Sequence, residues 1–158
     1  MKIVVVSDNH GYDKPLDNII KQNPDAKFFI HCGDSEMPEQ LLSNFYAVRG
    51  NNDGFYDYPE SIILDLDANN KAMIIHGHRH IVYRDLTYLA NFAKTKGCNI
   101  VFYGHTHIFN DEVCDGIRCI NPGSIVRCRD FTSGCYALVT IENNEIRVAR
   151  VNYNQSLI

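Results

Sequence analysis

Residues 3–11 read Ile-Val-Val-Val-Ser-Asp-Asn-His-Gly, and the reading of this stretch decides the fold. Four consecutive β-branched residues suit a strand buried on both faces, as in a parallel sheet covered by helices, rather than an alternating surface strand. The run stops at Ser7-Asp8-Asn9-His10-Gly11, so the strand delivers a carboxylate and an imidazole, two positions apart, at its carboxyl end. Ligands in open α/β sheets bind outside the carboxyl ends of the strands.

The same pattern recurs outward from this stretch. Helical spacing over 15–22, a strand over 27–31 and the turn Cys32-Gly33-Asp34 make a strand-helix-strand unit, which implies parallel strands and a right-handed crossover. A short helix over 37–45 and a strand over 46–48 lead to Arg49-Gly50-Asn51-Asn52-Asp53-Gly54. Residues 62–66 and 71–75 read as a hairpin through Ala68-Asn69-Asn70, ending at His76-Gly77-His78. A helix over 85–96 stops at Gly97, and a strand over 99–103 runs into Gly104-His105-Thr106-His107. The carboxyl third reads as antiparallel strands at 112–114, 117–120, 136–141 and 145–151, with a tight turn at Glu142-Asn143-Asn144. The expected fold is an α/β (α+β) sandwich, two packed mixed sheets flanked by helices, forming one domain over 1–158.

Composition narrows the function. A chain of 158 residues can bury a core without staples, and six cysteines without a CxxC pair are expected to be reduced thiols. No stretch approaches the roughly 18–20 apolar residues of a membrane span, and the amino terminus has one lysine before a short uncharged run. A cytoplasmic, unexported protein with no membrane partner is expected. A net charge of −4 offers no footprint for a stable nucleic-acid complex. Five of the seven histidines fall in two short stretches, the first compositional sign of a site.

Taken singly, the clusters are ordinary: Asp8 to Gly11 and Gly50 to Gly54 are good turn sequences, and paired histidines are often surface features. Together they place carboxylate, imidazole and amide ligands at five successive strand ends. Asp8, His10, Asp34, Asn51, His76, His105 and His107 offer more donors than one transition-metal ion needs. Two ions fit better, bridged by a carboxylate such as Asp34 at about 3.5–4 Å. Mixed nitrogen and oxygen donors suit manganese first, with zinc, iron or nickel as alternatives, and exclude the thiolate set of a structural zinc.

The ordered set D-x-H, G-D, G-N-x-D, H-G-H and G-H-T-H, with Asn121-Pro-Gly-Ser124 beyond it, resembles the calcineurin-like metallophosphoesterase family, especially its small single-domain phosphodiesterases. The resemblance implies a β-sandwich flanked by helices. It implies one metal held by Asp8, His10, Asp34 and His107, and another held by Asp34, Asn51, His76 and His105. It further implies hydrolysis of a small or nucleotide-like phosphodiester by attack of metal-bound hydroxide, with Asn51 ligating and Asp53 orienting its loop; His78 is read either as reaching the phosphate or as a surface histidine.

One departure stands out. Many relatives carry histidine where this chain has Asn52, and an amide cannot protonate a leaving oxygen, so esters with good leaving groups are favoured. His31, His80, Arg79, Arg127 and Arg129 are read as structural or surface groups before substrate contacts, and Cys32 as a small buried residue. Phe55, Tyr56 and Tyr58 are expected to be exposed, as a pocket rim or the interface of a homo-oligomer. The competing functions are a metal-binding scaffold, as in the small retromer subunit of similar fold, and a phosphomonoesterase.

Overall fold

The structure, a computed structural model, describes residues 1–153; the last five positions of the expected domain lie outside the described residues. Strand β1 (Lys2–Val6) is followed by helix α1 (Lys14–Gln22), β2 (Phe28–His31) and β3 (Tyr46–Ala47). Next come the β4 (Ser61–Asp65) and β5 (Lys71–Ile75) hairpin, α2 (Thr87–Thr95), β6 (Ile100–Phe102), β7 (Phe109–Cys114), β8 (Ile117–Pro122), β9 (Cys135–Glu142) and β10 (Glu145–Asn152). Two five-stranded mixed sheets result, ordered β10-β9-β1-β2-β3 and β4-β5-β6-β8-β7. In the first, β1, β2 and β3 are parallel; in the second, β5, β6 and β8 are parallel.

The quoted stretch explains the layering. Ile3 and Val5 point into a core shared with Ile74, Ile100, Phe102 and Ile120 of the second sheet, whereas Val4 and Val6 pack with Leu16 and Ile19 of α1. The second sheet repeats this: Met73 and Val101 face Leu89, Ala90 and Ala93 of α2. Both sheets are therefore apolar on both faces, which accounts for the unbroken apolar runs.

Helix ends follow from local chemistry. Pro15 sits in the first turn of α1, where its missing N–H costs nothing. Helix α2 ends at Gly97 (φ +73°), with Cys98 N–H donating to Ala93 O and Gly97 N–H to Lys94 O, the paired bonds of a glycine-terminated helix. The helix expected over 37–45 is instead a single 3₁₀ turn, Glu39–Leu42, because Pro38 is extended (ψ 151°) and Leu42 alone of the turn is buried. Strand β7 begins three residues earlier than expected. All six cysteines are free thiols. No helix among the described residues is long and apolar enough to cross a membrane.

Candidate metal centre

The expected ligands sit on loops just past the carboxyl ends of β1, β2, β3, β5 and β6. Asp8, His10, Asp34, His105 and His107 all have left-handed backbone, with φ between +46° and +68°. Such residues cost about 1–3 kcal/mol each and persist only where surrounding structure holds them. Here the loops are locked together. Asp8 N–H donates to Gly33 O and His10 N–H to Asp34 O, while Gly104 N–H donates to His76 O. A Cβ on Gly50 would overlap Asp34 Oδ1, and one on Gly104 would overlap Ser7 Oγ, so these two glycines let the loops close.

Seven donors converge. His107 Nε2 lies 3.1 Å from Asp8 Oδ1 and 3.3 Å from His10 Nε2. His76 Nε2 lies 3.4 Å from Asp34 Oδ2 and 3.1 Å from Asn51 Oδ1, which His105 Nδ1 also approaches to 3.1 Å. Two donor sets, Asp8-His10-His107 and Asp8-Asp34-His76, each have their ligand atoms within 4.8 Å of one another. Asp8 is common to both.

Three observations show that these residues fit a cation. Asp8 Oδ1 is buried and accepts no hydrogen bond of good geometry, despite the nearby His107 nitrogen; such an orphaned charge is costly unless a cation meets it. The Nδ1 atoms of His76 and His10 face Cys32 O at 2.7 Å and Glu36 Oε1 at 2.7 Å. With Nδ1 the donor in each, both Nε2 lone pairs turn inward, the usual support of a metal-binding histidine. Nitrogen and carboxylate oxygen donors without thiolate match a catalytic rather than a structural site.

Electrostatics agree. Burial opposes the charge of Asp34, but bonds from His76 and Asn52 outweigh it and hold the carboxyl well below the usual range. Burial also disfavours charge on His76, yet its bond to Asp34 and the field of Asp8 raise its pKa. His105 and His78 are both lowered, by burial first and then by His76.

The remaining candidates have distinct places. Asp53 is fully buried and accepts from the N–H groups of Asp34 (2.8 Å), Gly50 (2.7 Å) and Glu36 (2.8 Å), stapling the β2 and β3 loops without touching a donor atom. Asn52 donates to both carboxylate oxygens of Asp34, from its N–H and from Nδ2. The His78 ring lies 5.4 Å from that of His76, on a small cavity with Arg49, Arg79 and His80. His80 stacks on Tyr88 and Phe92. His31 is fully buried, with Nε2 against Asn9 Oδ1 and Nδ1 accepting from Gly33 N–H. Arg127 and Arg129 line a cleft with His10 and His107.

The aromatic rim is corrected. Phe55 is exposed, but Tyr58 is 6% exposed and donates its hydroxyl to Met37 O at 2.6 Å. The cleft beside His10 and His107 is walled by Tyr12 and Phe131 instead. Sequence reasoning also missed Glu36, Ser124 and Asn121 as supports. Ser124 donates to Asp8 O, and Asn121 donates to Gly104 O and Thr106 Oγ1. The N-P-G-S run directly after an apolar strand was the available signal for the last two, and Glu36 had none.

The model of the calcineurin-like phosphoesterase superfamily domain matches residues 1–144. The chain belongs to this superfamily. It is 33% identical over 151 residues to the probable metallophosphoesterase YsnB of Bacillus subtilis (strain 168), covering 94% of this chain and 89% of that one. It is 31% identical over 158 residues to phosphodiesterase MJ0936 of Methanocaldococcus jannaschii, covering 85% of this chain and 88% of the relative. The crystal structure of a predicted phosphoesterase from Streptococcus pneumoniae TIGR4 superposes with a TM-score of 0.87 at 28% identity, covering 96% and 88% of the two chains. The superfamily membership makes this chain a metal-dependent phosphoric ester hydrolase, and the two donor sets above are groups that could hold a metal ion.

Proposed function

We propose that the chain is a dinuclear metal-dependent phosphodiesterase acting on small phosphodiesters, with manganese as the first metal to test and the cytoplasm as its setting. The observation that carries this reading is the buried Asp8 Oδ1, left without a hydrogen bond of good geometry on the residue that two donor sets share, Asp8-His10-His107 and Asp8-Asp34-His76. Asp8, His10, Asp34 and His107 would hold one ion, and Asp34, Asn51, His76 and His105 the other. When bound, such ions bring the pKa of water toward about 7 and neutralise charge on phosphoryl oxygens.

The chain's own residues do the rest. Cys32 O and Glu36 accept from the Nδ1 atoms of His76 and His10, so each ring would offer its Nε2 to a metal. Asp53 holds the backbone that carries Asp34 and Asn51 at one separation, as preorganised sites require. His78, half-buried and with its ring 5.4 Å from that of His76, would donate to a phosphate oxygen. Asn52 uses its amide protons on Asp34 and supplies no acid for a leaving oxygen. Diesters whose leaving groups depart unprotonated are therefore preferred over alkyl monoesters. That preference, with the family's naming, favours diesterase over monoesterase.

The test uses metal-stripped protein with bis-p-nitrophenyl phosphate and p-nitrophenyl phosphate, before and after adding manganese. Turnover of the diester that appears only with metal and exceeds that of the monoester is expected. A monoester preference makes the protein a phosphomonoesterase. Two bound equivalents of metal without turnover of either ester make it a scaffold.

A further inference from the structure

The cleft beside the metal centre, about 740 Å3, is lined by His10 and His107 and by Tyr12, Arg127, Arg129 and Phe131. Three of its properties bear on what it binds. The first is charge. Arg49, Arg79, Arg118 and Arg147 each have a carboxylate within reach. Among the described residues Arg127 and Arg129 have none, and no hydrogen bond engages either guanidinium. Two unneutralised guanidinium groups beside a candidate dication site, on a chain of net charge −4, are suited to a polyanionic ligand.

The second property is placement. Arg129 N–H donates to His107 O at 2.9 Å, and Arg127 N–H donates to Ser124 Oγ at 3.1 Å. Ser124 in turn donates to Asp8 O at 2.9 Å. The backbones of both arginines are thus tied to the loops of the candidate metal centre, which roots both side chains at its edge. The third property is the aromatic wall. Tyr12 is 61% exposed and Phe131 98% exposed, the latter with φ +64°, uncommon for a bulky side chain. Exposed rings on a charged cleft are platforms for a flat ligand.

The site also lacks an acid at Asn52, so its best leaving group needs no proton. A phosphate monoester is such a group; a ribose hydroxyl is not. We propose that the cleft takes a diphosphate-linked nucleotide and that the enzyme hydrolyses its P–O–P bond. The attacked phosphate lies at the metal centre, the second phosphate on Arg127 and Arg129, and the base on Phe131 or Tyr12. Water's oxygen joins one phosphorus, the bridging P–O bond breaks with its electron pair staying on the other phosphate, and two protons are released as two phosphate monoesters form. This rests on the diesterase reading above and names its substrate class.

The experiment measures kcat and KM of manganese-loaded protein on P1,P2-di(adenosine) diphosphate, a 3′–5′ adenosine dinucleotide and bis-p-nitrophenyl phosphate. The wild type should prefer the diphosphate to the dinucleotide by at least tenfold. Arg127→Ala with Arg129→Ala should raise KM for the diphosphate by about tenfold or more, as losing charged hydrogen bonds does, and flatten its dependence on salt. Phe131→Ala should raise it about fivefold, the low end of base stacking. Arg84→Ala, an exposed arginine elsewhere, should change neither parameter. Hydrolysis of the aryl diester with the diphosphate left intact overturns this inference and leaves the diesterase reading standing. No turnover of any ester overturns that reading, and binding of methylene-bridged di(adenosine) diphosphate then decides the cleft's ligand. Loss of that binding in the double arginine variant retains the site, and equal binding by both proteins sinks it.

Discussion

Two regions of the molecule use the same turn chemistry to opposite ends. The hairpin turns at Asp67–Asn70 and Asn143–Asn144 are rich in Asp and Asn, as are the strand-end loops at Asp8–Asn9 and Asn51–Asp53. Both regions contain left-handed residues, such as Asn143 (φ +50°) and Asn144 (φ +64°) in one and Asp8 and His107 in the other. In the hairpin, Asp67 Oδ1 accepts from the N–H groups of Asn69 and Asn70 at 2.8 and 2.9 Å, and the carboxylate sits in solvent, fully satisfied. In the strand-end loops Asp8 is 0% exposed, with one oxygen unpartnered and aimed at two imidazoles. Left-handed backbone with Asx chemistry therefore makes a turn. A buried carboxylate left without its share of hydrogen bonds makes a site.

The largest effect should come from exchanging one carboxylate for an amide in each region. Asp8→Asn should reduce metal affinity by more than the roughly 10–100-fold that losing a supporting contact costs, because a ligand itself is changed. The same variant should make the metal-free protein more stable, since it removes a buried unpaired charge. About 1 kcal/mol corresponds to roughly 2–4 °C in Tm at this size. Asp67→Asn should leave metal binding unchanged and cost less than about 1 kcal/mol. Calorimetric metal titration and thermal melts in chelator check both variants. Metal loss in Asp67→Asn, or a lower metal-free Tm in Asp8→Asn, would break the contrast.

The site region differs from the hairpins in a further way, through Asn52. Its amide donates to Asp34, so it supports a ligand where an acid could have stood. Asn52→His should restore proton donation to the leaving oxygen, an effect worth about a hundredfold at the low end of general acid catalysis. It should act selectively on esters of poor leaving groups, flattening the dependence of kcat/KM on leaving-group pKa across a series of aryl phosphodiesters. An unchanged slope means that position 52 does not face the leaving group.

The residues legible in the sequence were those whose position and chemistry coincide. Apolar runs marked the parallel strands because both sheet faces are covered, and each run ended in residues with donor atoms. Asn143-Asn144 announced its turn in the same way. The left-handed conformation of His105 and His107 was not legible, since it is imposed by loop closure around Gly104 rather than by local preference. Glu36 carries no spacing signal; its carboxylate meets His10 only after β1 and β2 pair. The helix expected over 37–45 fails for a related reason. Its apolar residues fill gaps under the site loops, as Met37 does beneath Asn9, instead of forming one face. Tyr58 looked like a rim residue because its burial depends on Met37 O, a partner supplied by another strand end.

A last contrast separates the two regions by pH. Beneath the strand-end loops His31 is neutral, since its Nδ1 accepts from Gly33 N–H and its Nε2 donates to Asn9 Oδ1. A second ring proton would face the Gly33 donor, and burial holds the pKa at about 4 against an ordinary 6.5. A depressed histidine pKa means that the unfolded chain binds the proton first. Between pH 6.5 and 4 the unfolded state therefore carries more protons, and stability falls as pH falls, by up to about 1.4 kcal/mol per unit. The hairpin turn depends on Asp67, whose pKa is lowered by bonds from the Asn69 backbone N–H and the Asn70 side chain, so its support survives to more acid conditions. Amide exchange of metal-free protein should show the strand-end loops losing protection in that window while the hairpins keep theirs. In His31→Gln the slope of stability against pH should be shallower by the His31 share. Equal slopes in the two proteins would show that the ring is not the proton-linked support beneath the site.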